Sequence, residues 1–186
     1  MKYPESRLSI PKDLKDADNG KLPKSKLSKI ECGGEMWKWA ALCFNLMYKD
    51  AKKAGITLKN IGDYRTFQRQ LEMFNERYSL EDEGRIPRVT RKYQGKTWYL
   101  RKGKSPSGIP GTSNHGLGLA IDLDVKNGKT LAWLCENAPS YGFFLQTGDA
   151  SSPEFEAWHW QYSTGDKLPT VVVKAIQAFA EAVKKP

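Results

Sequence analysis

The chain has 186 residues, of which 39% are hydrophobic and 27% are charged, values ordinary for one soluble globular domain with a hydrophobic core. No apolar run approaches the roughly 20 residues that a membrane-spanning helix needs, which excludes an integral helical membrane protein. The formal net charge of +9 favours polyanionic partners, such as nucleic acid or a cell envelope that bears phosphate polymers.

The beginning of the chain differs in composition from the rest. Residues 1–34 are rich in Lys, Pro, Ser and Gly and have weak periodicity. They predict an extended N-terminal arm that packs against the domain only in places. Residues 35–186 show no internal repeat and no second boundary, and they predict a single domain.

The N-terminal sequence and the cysteines indicate the cellular compartment in which the protein is made. Residues 1–29 lack the apolar segment of a secretory signal. The three cysteines form no CxxC pair and offer neither a disulfide framework nor a zinc knuckle: Cys32, Cys43 and Cys135. We therefore expect a reduced protein that is made in the cytoplasm without a signal peptide and that needs another agent to release it.

Periodicity predicts a mixture of helices and strands. Helices are predicted for residues 37–55, 66–78, 130–138 and 171–184. Strands are predicted for a hairpin at residues 89–100 and for residues 119–125 and 158–162. The elements follow no βαβ rhythm, so the sequence predicts an α+β fold with a small, mostly antiparallel sheet and flanking helices.

A basic stretch covers residues 85–104 and contains no acidic residue. Its eight cations are Arg85, Arg88, Arg91, Lys92, Lys96, Arg101, Lys102 and Lys104. Such a stretch binds a polyanion through long-range attraction, or it simply faces water as most charge runs do. Nucleic-acid binding rests on this charge alone, because the sequence has no recognisable nucleic-acid-binding motif.

The two histidines of the chain have unusual surroundings. His115 stands in Ser113-Asn-His115-Gly-Leu-Gly-Leu-Ala-Ile-Asp122, ahead of a predicted strand, and His159 stands in Glu156-Ala-Trp-His159. Two imidazoles and a carboxylate are a usual catalytic zinc set that leaves one position for water. Strand alternation places Asp122 and Asp124 on the same face, so either aspartate can be the third ligand.

Glu156 is the candidate general base, because a zinc-bound water needs a group that accepts its proton. In a regular strand the side chains of Glu156 and His159 would point to opposite faces. A bend around Ala157 is therefore predicted if both residues serve one site.

These residues resemble the signature of a known family. The pattern Ser113-x-His115-x-x-Gly118-x-Ala120-x-Asp122, followed by Glu156-x-Trp158-His159, is similar to that of the D-alanyl-D-alanine carboxypeptidase/dipeptidase family of zinc peptidases. Phage L-alanyl-D-glutamate endolysins share it. The resemblance implies a Hedgehog/D,D-peptidase-like fold, Zn²⁺ bound by His115, Asp122 and His159, and Glu156 as base. It thereby selects Asp122 over Asp124.

A second element, Tyr64-Arg65-Thr66 with Gln70, is similar to the family's Gly-Tyr-Arg-Ser-x-x-x-Gln. The resemblance implies a catalytic role for Arg65 at the developing oxyanion and a substrate-binding role for Gln70. Asp63 departs from the family's usual glycine. Ser113 and Trp158 are further candidates for substrate binding, with support of the His115 turn and core packing as their alternative roles.

The resemblance therefore implies a zinc metallopeptidase that hydrolyses peptidoglycan stem peptides. The basic insert favours the phage-type branch, a lysin with endopeptidase activity that acts at the bacterial cell wall after release. Residues 85–104 are then a candidate binding surface for anionic wall polymers, and neither a membrane nor nucleic acid is expected as a partner. The alternatives are a D-alanyl-D-alanine carboxypeptidase or dipeptidase and a non-catalytic zinc-binding module, although a purely structural site has no need of Glu156.

Overall fold

The computed structural model describes residues 2–152 and 154–183. The described residues contain four helices: α1 (Lys38–Lys53), α2 (Phe67–Arg77), α3 (Gly128–Asn137) and α4 (Thr170–Val183). They contain nine short strands: β1 (Leu27–Lys29), β2 (Glu35–Trp37), β3 (Asn60–Gly62), β4 (Tyr78–Ser79), β5 (Thr90–Tyr93), β6 (Lys96–Leu100), β7 (Ala120–Leu123), β8 (Phe143–Leu145) and β9 (His159–Tyr162).

All pairings between these strands are antiparallel. The central sheet has four strands in the order β3-β7-β9-β8, and β1-β2 and β4-β6-β5 form two smaller sheets. The predicted α+β fold with a small antiparallel sheet is therefore confirmed. The predicted helices and strands are present at nearly the expected positions, but Lys184, where α4 was expected to end, lies outside the described residues.

The central sheet has one apolar face and one face that carries functional groups. Ile121 and Leu123 of β7 and Trp160 and Tyr162 of β9 are fully buried in the main core. Because side chains alternate along a strand, Asp122 lies on the other face. The register pairs Asp122 with His159 across the two strands, which brings these two side chains side by side.

Helix α1 covers the apolar face of the sheet. Ala40, Phe44 and Met47 recur at helical spacing and are fully buried, and the ring centroid of Phe44 lies 5.9 Å from that of Phe143 on β8. Burying side chains of the size of Phe44 and Met47 contributes about 1.5–3 kcal/mol each to stability. Gly55 follows the helix with a φ of 75°, the left-handed conformation that commonly terminates a helix.

The N-terminal segment packs more extensively than predicted. Leu14, Leu22 and Ile30 are buried in the main core, and β1 pairs with β2 across the predicted boundary at residue 34. These side chains are buried because they pack in the main core, which is formed mostly by residues beyond 34. The division into an arm and a domain stays a prediction, and Met1 lies outside the described residues.

A second small core joins α2 to the basic hairpin. The ring of Phe74 stacks on Tyr78 at 4.7 Å and contacts Tyr93 and Trp98 edge-on, both at 5.3 Å between centroids. The β5-β6 turn has positive φ at Gln94 (50°) and Gly95 (71°), which suits a tight two-residue hairpin. The hairpin is thus fixed to α2 by aromatic contacts, and its charged side chains are left on the outside.

Helix α4 closes the described chain. Val172 is its buried residue, whereas Phe179 is 73% exposed. Among the residues that the structure describes, none of the helices combines the length and the apolar character required to cross a membrane.

Candidate metal centre and active-site cleft

Three side chains from separate elements converge on one point. His115 lies in a 3-10 turn, Asn114–Leu117, that leads into β7, Asp122 lies within β7, and His159 begins β9. His115 Nε2 is 3.2 Å from His159 Nδ1, and Asp122 Oδ1 is 3.3 Å and 3.0 Å from these two nitrogens. The predicted ligand atoms are therefore mutual neighbours, all within 4.8 Å.

The spacing fits a tetrahedral metal ion. Two ligand atoms bound about 2.0–2.1 Å from a tetrahedral zinc ion lie about 3.3–3.4 Å apart. The observed separations of 3.0, 3.2 and 3.3 Å are close to this value, so an ion would need little rearrangement. Two imidazoles and one carboxylate also form a usual ligand set for catalytic zinc, with a fourth position open to water or substrate.

A backbone carbonyl sets the tautomer of His115. The Nδ1–H of His115 donates to the carbonyl oxygen of Asp63 at 2.9 Å, which leaves the lone pair on Nε2 directed at Asp122 and His159. The Asp63 side chain accepts a hydrogen bond from Asn60 Nδ2 at 2.7 Å. Asp63, which stands where the family usually has glycine, therefore helps to orient His115 through its backbone carbonyl.

Burial controls the protonation of this group. Burial lowers the pKa of His115 below the ordinary imidazole value, so that the ring is neutral at neutral pH and can bind a metal ion. Burial alone would raise the pKa of Asp122, but interactions with His115 and His159 outweigh it and hold that pKa far below its usual range. Asp122 is therefore an ionised carboxylate across the physiological range.

Glu156 reaches the same cleft through a bend in the chain. The backbone N–H of His159 donates to the Glu156 carbonyl at 3.0 Å, which closes a turn across Ala157 and Trp158. The predicted bend is present, and Glu156 lines the cleft together with the three candidate ligands. Desolvation, reinforced by the charge of Asp122, raises the pKa of Glu156 above the ordinary glutamate value, in the direction that suits a general base.

Arg65 contributes a cation beside the candidate metal ligands. Its Nη2 lies 3.7 Å from Asp122 Oδ2, and its Nη1 donates to Gln70 Oε1 at 3.0 Å. Its backbone N–H donates to the carbonyl of His115 at 3.1 Å, which ties this segment to the turn that carries the first ligand. The guanidinium lines the cleft, in a position to stabilise a developing oxyanion.

Gln70 requires a correction. The sequence predicted substrate contact for this residue, but its side chain is 2% exposed and lies behind Arg65. Its amide nitrogen donates to the carbonyl of Gly108 at 2.7 Å. Both ends of the amide are thereby engaged inside the protein, and Gln70 positions Arg65 and the loop at Gly108 instead of facing substrate.

Ser113 and Trp158 both line the cleft, as predicted, and their contact with substrate stays a prediction. Trp158 is 42% exposed and is therefore no core residue.

Asp124, the alternative ligand, lines a different depression with Lys59 and Lys126. The cleft encloses about 520 Å³, a volume typical of ligand sites.

Sequence reasoning missed one wall of the cleft. Met73 and Arg77 of α2 line it, together with the loop at residues 105–108. The signal was available, because positions four apart on a helix share a face. The apolar stripe predicted for α2, formed by Phe67, Leu71 and Phe74, lies on a different face of the helix.

The basic stretch is partly neutralised by acids outside it. Three of its eight cations form ion pairs: Arg88 with Asp82 at 2.5 Å, Arg101 with Glu83 at 2.7 Å and Lys104 with Glu76 at 2.8 Å. The net surface charge around residues 85–104 is therefore lower than the sequence suggested.

Fold and site together define a zinc-peptidase-like domain, and comparison with known proteins gives the family. Residues 34–166 match the family described as VanY: D-alanyl-D-alanine carboxypeptidase, and the chain belongs to this family. The family resemblance drawn from the histidine motifs is confirmed.

Two curated relatives carry related names. The chain is 30% identical over 166 residues to “Putative carboxypeptidase YodJ” of Bacillus subtilis (strain 168), covering 80% of this chain and 54% of that protein. It is 26% identical over 129 residues to a D-alanyl-D-alanine carboxypeptidase of Enterococcus faecalis (strain ATCC 700802 / V583), covering 62% and 44%. The chain thus spans about half the length of the curated relatives it matches.

Solved structures share the fold. A variant of the vancomycin-resistance D,D-pentapeptidase VanY, solved in complex with Zn(II), has a TM-score of 0.54 at 18% identity, with 94% of this chain and 92% of that chain covered. The LdcB LD-carboxypeptidase has a TM-score of 0.54 at 26% identity, with 96% and 75% covered. The D,D-peptidase-like architecture predicted from the motifs is confirmed.

Proposed function

We propose that this chain is a zinc-dependent peptidase that hydrolyses the peptides of bacterial peptidoglycan. The observation that carries the proposal is the convergence of His115, Asp122 and His159 in one cleft with Glu156. The relatives named carboxypeptidases and the similar structure solved with Zn(II) support it. So does LdcB, whose structure concerns peptidoglycan recognition.

The proposed roles follow from the position of each group. His115, Asp122 and His159 hold the metal ion. When bound, zinc lowers the pKa of water to about 7 and polarises a carbonyl group. Glu156 accepts the proton of the attacking water and passes it to the leaving amine. Arg65 stabilises the negative charge that develops on the carbonyl oxygen.

Two positions of cleavage are compatible with this centre. The phage-like motifs favour an endopeptidase that cuts within the stem peptide, in the manner of a lysin. The names of the curated relatives favour a carboxypeptidase that removes the terminal residue. Both use the same groups, and the difference lies in how far the peptide extends along the cleft.

The test is digestion of purified peptidoglycan by the zinc-loaded protein, with and without chelator, followed by mass spectrometry of the products. We expect chelator-sensitive products, whose masses distinguish loss of one terminal residue from a cut within the stem. Absence of cleavage with zinc demonstrably bound would refute the proposal.

A matched variant separates a peptidase from a non-catalytic zinc module. Glu156→Ala should retain zinc and lose hydrolysis by about 10²–10⁴-fold, the usual contribution of general acid–base catalysis. Metal content is measured by elemental analysis on the same sample. Full activity in this variant would assign the proton transfer to another group.

A further inference from the structure

The cleft has a second cationic end that the proposed mechanism does not use. Met73 and Arg77 lie four residues apart on α2 and both line the cleft. Arg77 thus extends the α2 wall of the cleft about one helical turn beyond Met73.

Arg77 differs from the neighbouring cations in having no acidic partner. Arg69 pairs with Glu72 at 3.2 Å, and Lys104 pairs with Glu76 at 2.8 Å. Within the described residues, Arg77 forms no ion pair, and its hydrogen bond from Nη1 goes to the neutral carbonyl of Pro106 at 3.0 Å. This bond fixes the guanidinium against the loop while its remaining donors stay available to a ligand in the cleft.

The loop that accepts the hydrogen bond from Arg77 also contains a buried hydroxyl without a partner. Ser107 lines the cleft, and its Oγ is buried without a hydrogen-bond partner among the described residues. A buried hydroxyl left unpaired destabilises a protein, and such groups generally acquire a partner from a ligand or from water. The hydroxyl of Ser107 follows directly after the carbonyl that holds Arg77.

We propose that Arg77 and Ser107 form a subsite that binds a carboxylate of the substrate peptide at a distance from the scissile bond. A guanidinium binds a carboxylate through two parallel hydrogen bonds, and rotation of the buried Ser107 hydroxyl towards the cleft adds a third. The inference rests on the proposed peptidase function and deepens it. Arg65 and the three candidate ligands occupy the part of the cleft where the scissile bond would lie, and Arg77 lies on the wall formed by α2, so we assign the carboxylate to an internal residue of the peptide.

The test compares peptides that differ in one group. The first is a synthetic peptide that ends in D-Ala-D-Ala and has an internal D-glutamate with a free carboxylate; the second carries a carboxamide at that position. A third keeps the internal carboxylate but has an amidated C-terminus, which distinguishes the two sources of negative charge. Binding is measured by calorimetry with zinc-loaded Glu156→Gln protein, and hydrolysis is measured with the wild type.

We expect the free internal carboxylate to tighten binding by about tenfold to a hundredfold, as is typical of hydrogen bonds to charged groups. Arg77→Gln should abolish this preference and raise KM with little change in kcat, whereas Arg77→Lys should restore part of it. Ser107→Ala should weaken binding of the same peptide without lowering Tm, because the hydroxyl has no partner to lose. Arg69→Gln, on the same helix but outside the cleft, is the control and should behave as wild type.

Each contrary result identifies which idea is wrong. Equal binding of the first two peptides, with hydrolysis intact, would overturn the subsite and leave the peptidase proposal standing. A preference that follows the C-terminal carboxylate would assign Arg77 to the terminus and overturn the internal assignment. Absence of both binding and hydrolysis for all three peptides would overturn the subsite together with the proposed function.

Discussion

The candidate metal centre and the basic stretch at residues 85–104 are both clusters of ionisable residues, yet they are built in opposite ways. At the centre, His115 and His159 are 3% and 8% exposed, and their contact joins residues 44 positions apart. In the basic stretch, β5 and β6 are neighbours in sequence, and four of the eight cations are exposed: Arg88, Lys92, Lys96 and Lys102. Ion pairs with Asp82, Glu83 and Glu76 neutralise three of the eight.

The difference shows that ionisable side chains from distant parts of the chain that meet in a desolvated cleft indicate a catalytic site better than a local run of charges does. Exposed ion pairs contribute little and are screened by salt. Buried groups interact strongly, and each ionised form must be matched by a partner. The predictions below test this contrast, beginning with the largest expected effect.

Removing one ligand should eliminate the metal centre. His159→Ala takes away one of the three converging donors, and we expect loss of both bound zinc and hydrolysis. Asp124→Ala is the matched control, because Asp124 lies near the ligands in sequence but lines another depression. Elemental analysis of the dialysed proteins measures the difference. Retention of zinc by His159→Ala, or its loss from Asp124→Ala, would contradict the assignment.

Replacing Arg65 should affect turnover more than metal binding. Arg65→Lys keeps the charge but cannot reproduce both the hydrogen bond to Gln70 and the approach to Asp122. We expect kcat to fall by about 10²–10³-fold, as when one oxyanion donor is removed. Gln70→Ala should have a smaller effect of the same kind, because Gln70 only positions Arg65. Steady-state kinetics on one peptide would show whether this order holds.

Acid should destabilise the metal-free protein through His115. Its pKa is lowered by burial, so the folded chain binds fewer protons than the unfolded chain once the pH falls below about 6.5. The free energy of unfolding therefore decreases as the pH is lowered through this region. Thermal unfolding in chelator, between about pH 7.5 and 5.5, measures the effect. A His115→Gln variant should show a weaker dependence, and a Tm that rises on acidification would contradict the argument.

Changes on the hairpin should have the smallest effect. If residues 85–104 bind anionic wall polymers, Arg91→Glu with Lys92→Glu should weaken binding to purified cell walls several-fold at low salt and less at high salt. Hydrolysis of a small soluble peptide should not change. Arg88 is a poor choice for this test because it pairs with Asp82. Unchanged wall binding at low salt would remove the hairpin as a binding surface.

Sequence reasoning predicted the parts of the site that are encoded by side-chain identity. Two histidines in motifs, a glutamate three residues before the second, and strand alternation reduced the third ligand to Asp122 or Asp124, and the family resemblance selected Asp122. It could not predict the support that comes from backbone groups, such as the Asp63 carbonyl that orients His115, because any residue supplies a carbonyl. It also assigned Gln70 to substrate, since a sequence motif does not show which way a polar side chain points.

The fold was predictable for similar reasons. Helix α1 and the β5-β6 hairpin follow from periodicity and turn residues within short windows. The packing of the N-terminal segment depends on partners far along the chain, and its composition resembles that of a loop. Leu14 and Leu22 are buried by these distant contacts, which no local pattern specifies.

The contact of the N-terminal segment with the His115 turn has a consequence for the order of assembly. Asn19 Nδ2 donates to the carbonyl of Ser113, 94 residues away, and the N–H of Gly20 donates to Gly116 at 2.7 Å. A Cβ on Gly116 would lie 2.0 Å from Asn19 Oδ1, so this approach depends on glycine. Closing so long a loop is slow compared with forming helices or hairpins. Metal capture during refolding should therefore follow this closure, and the rate of zinc uptake would report when the N-terminal segment has docked on the His115 turn.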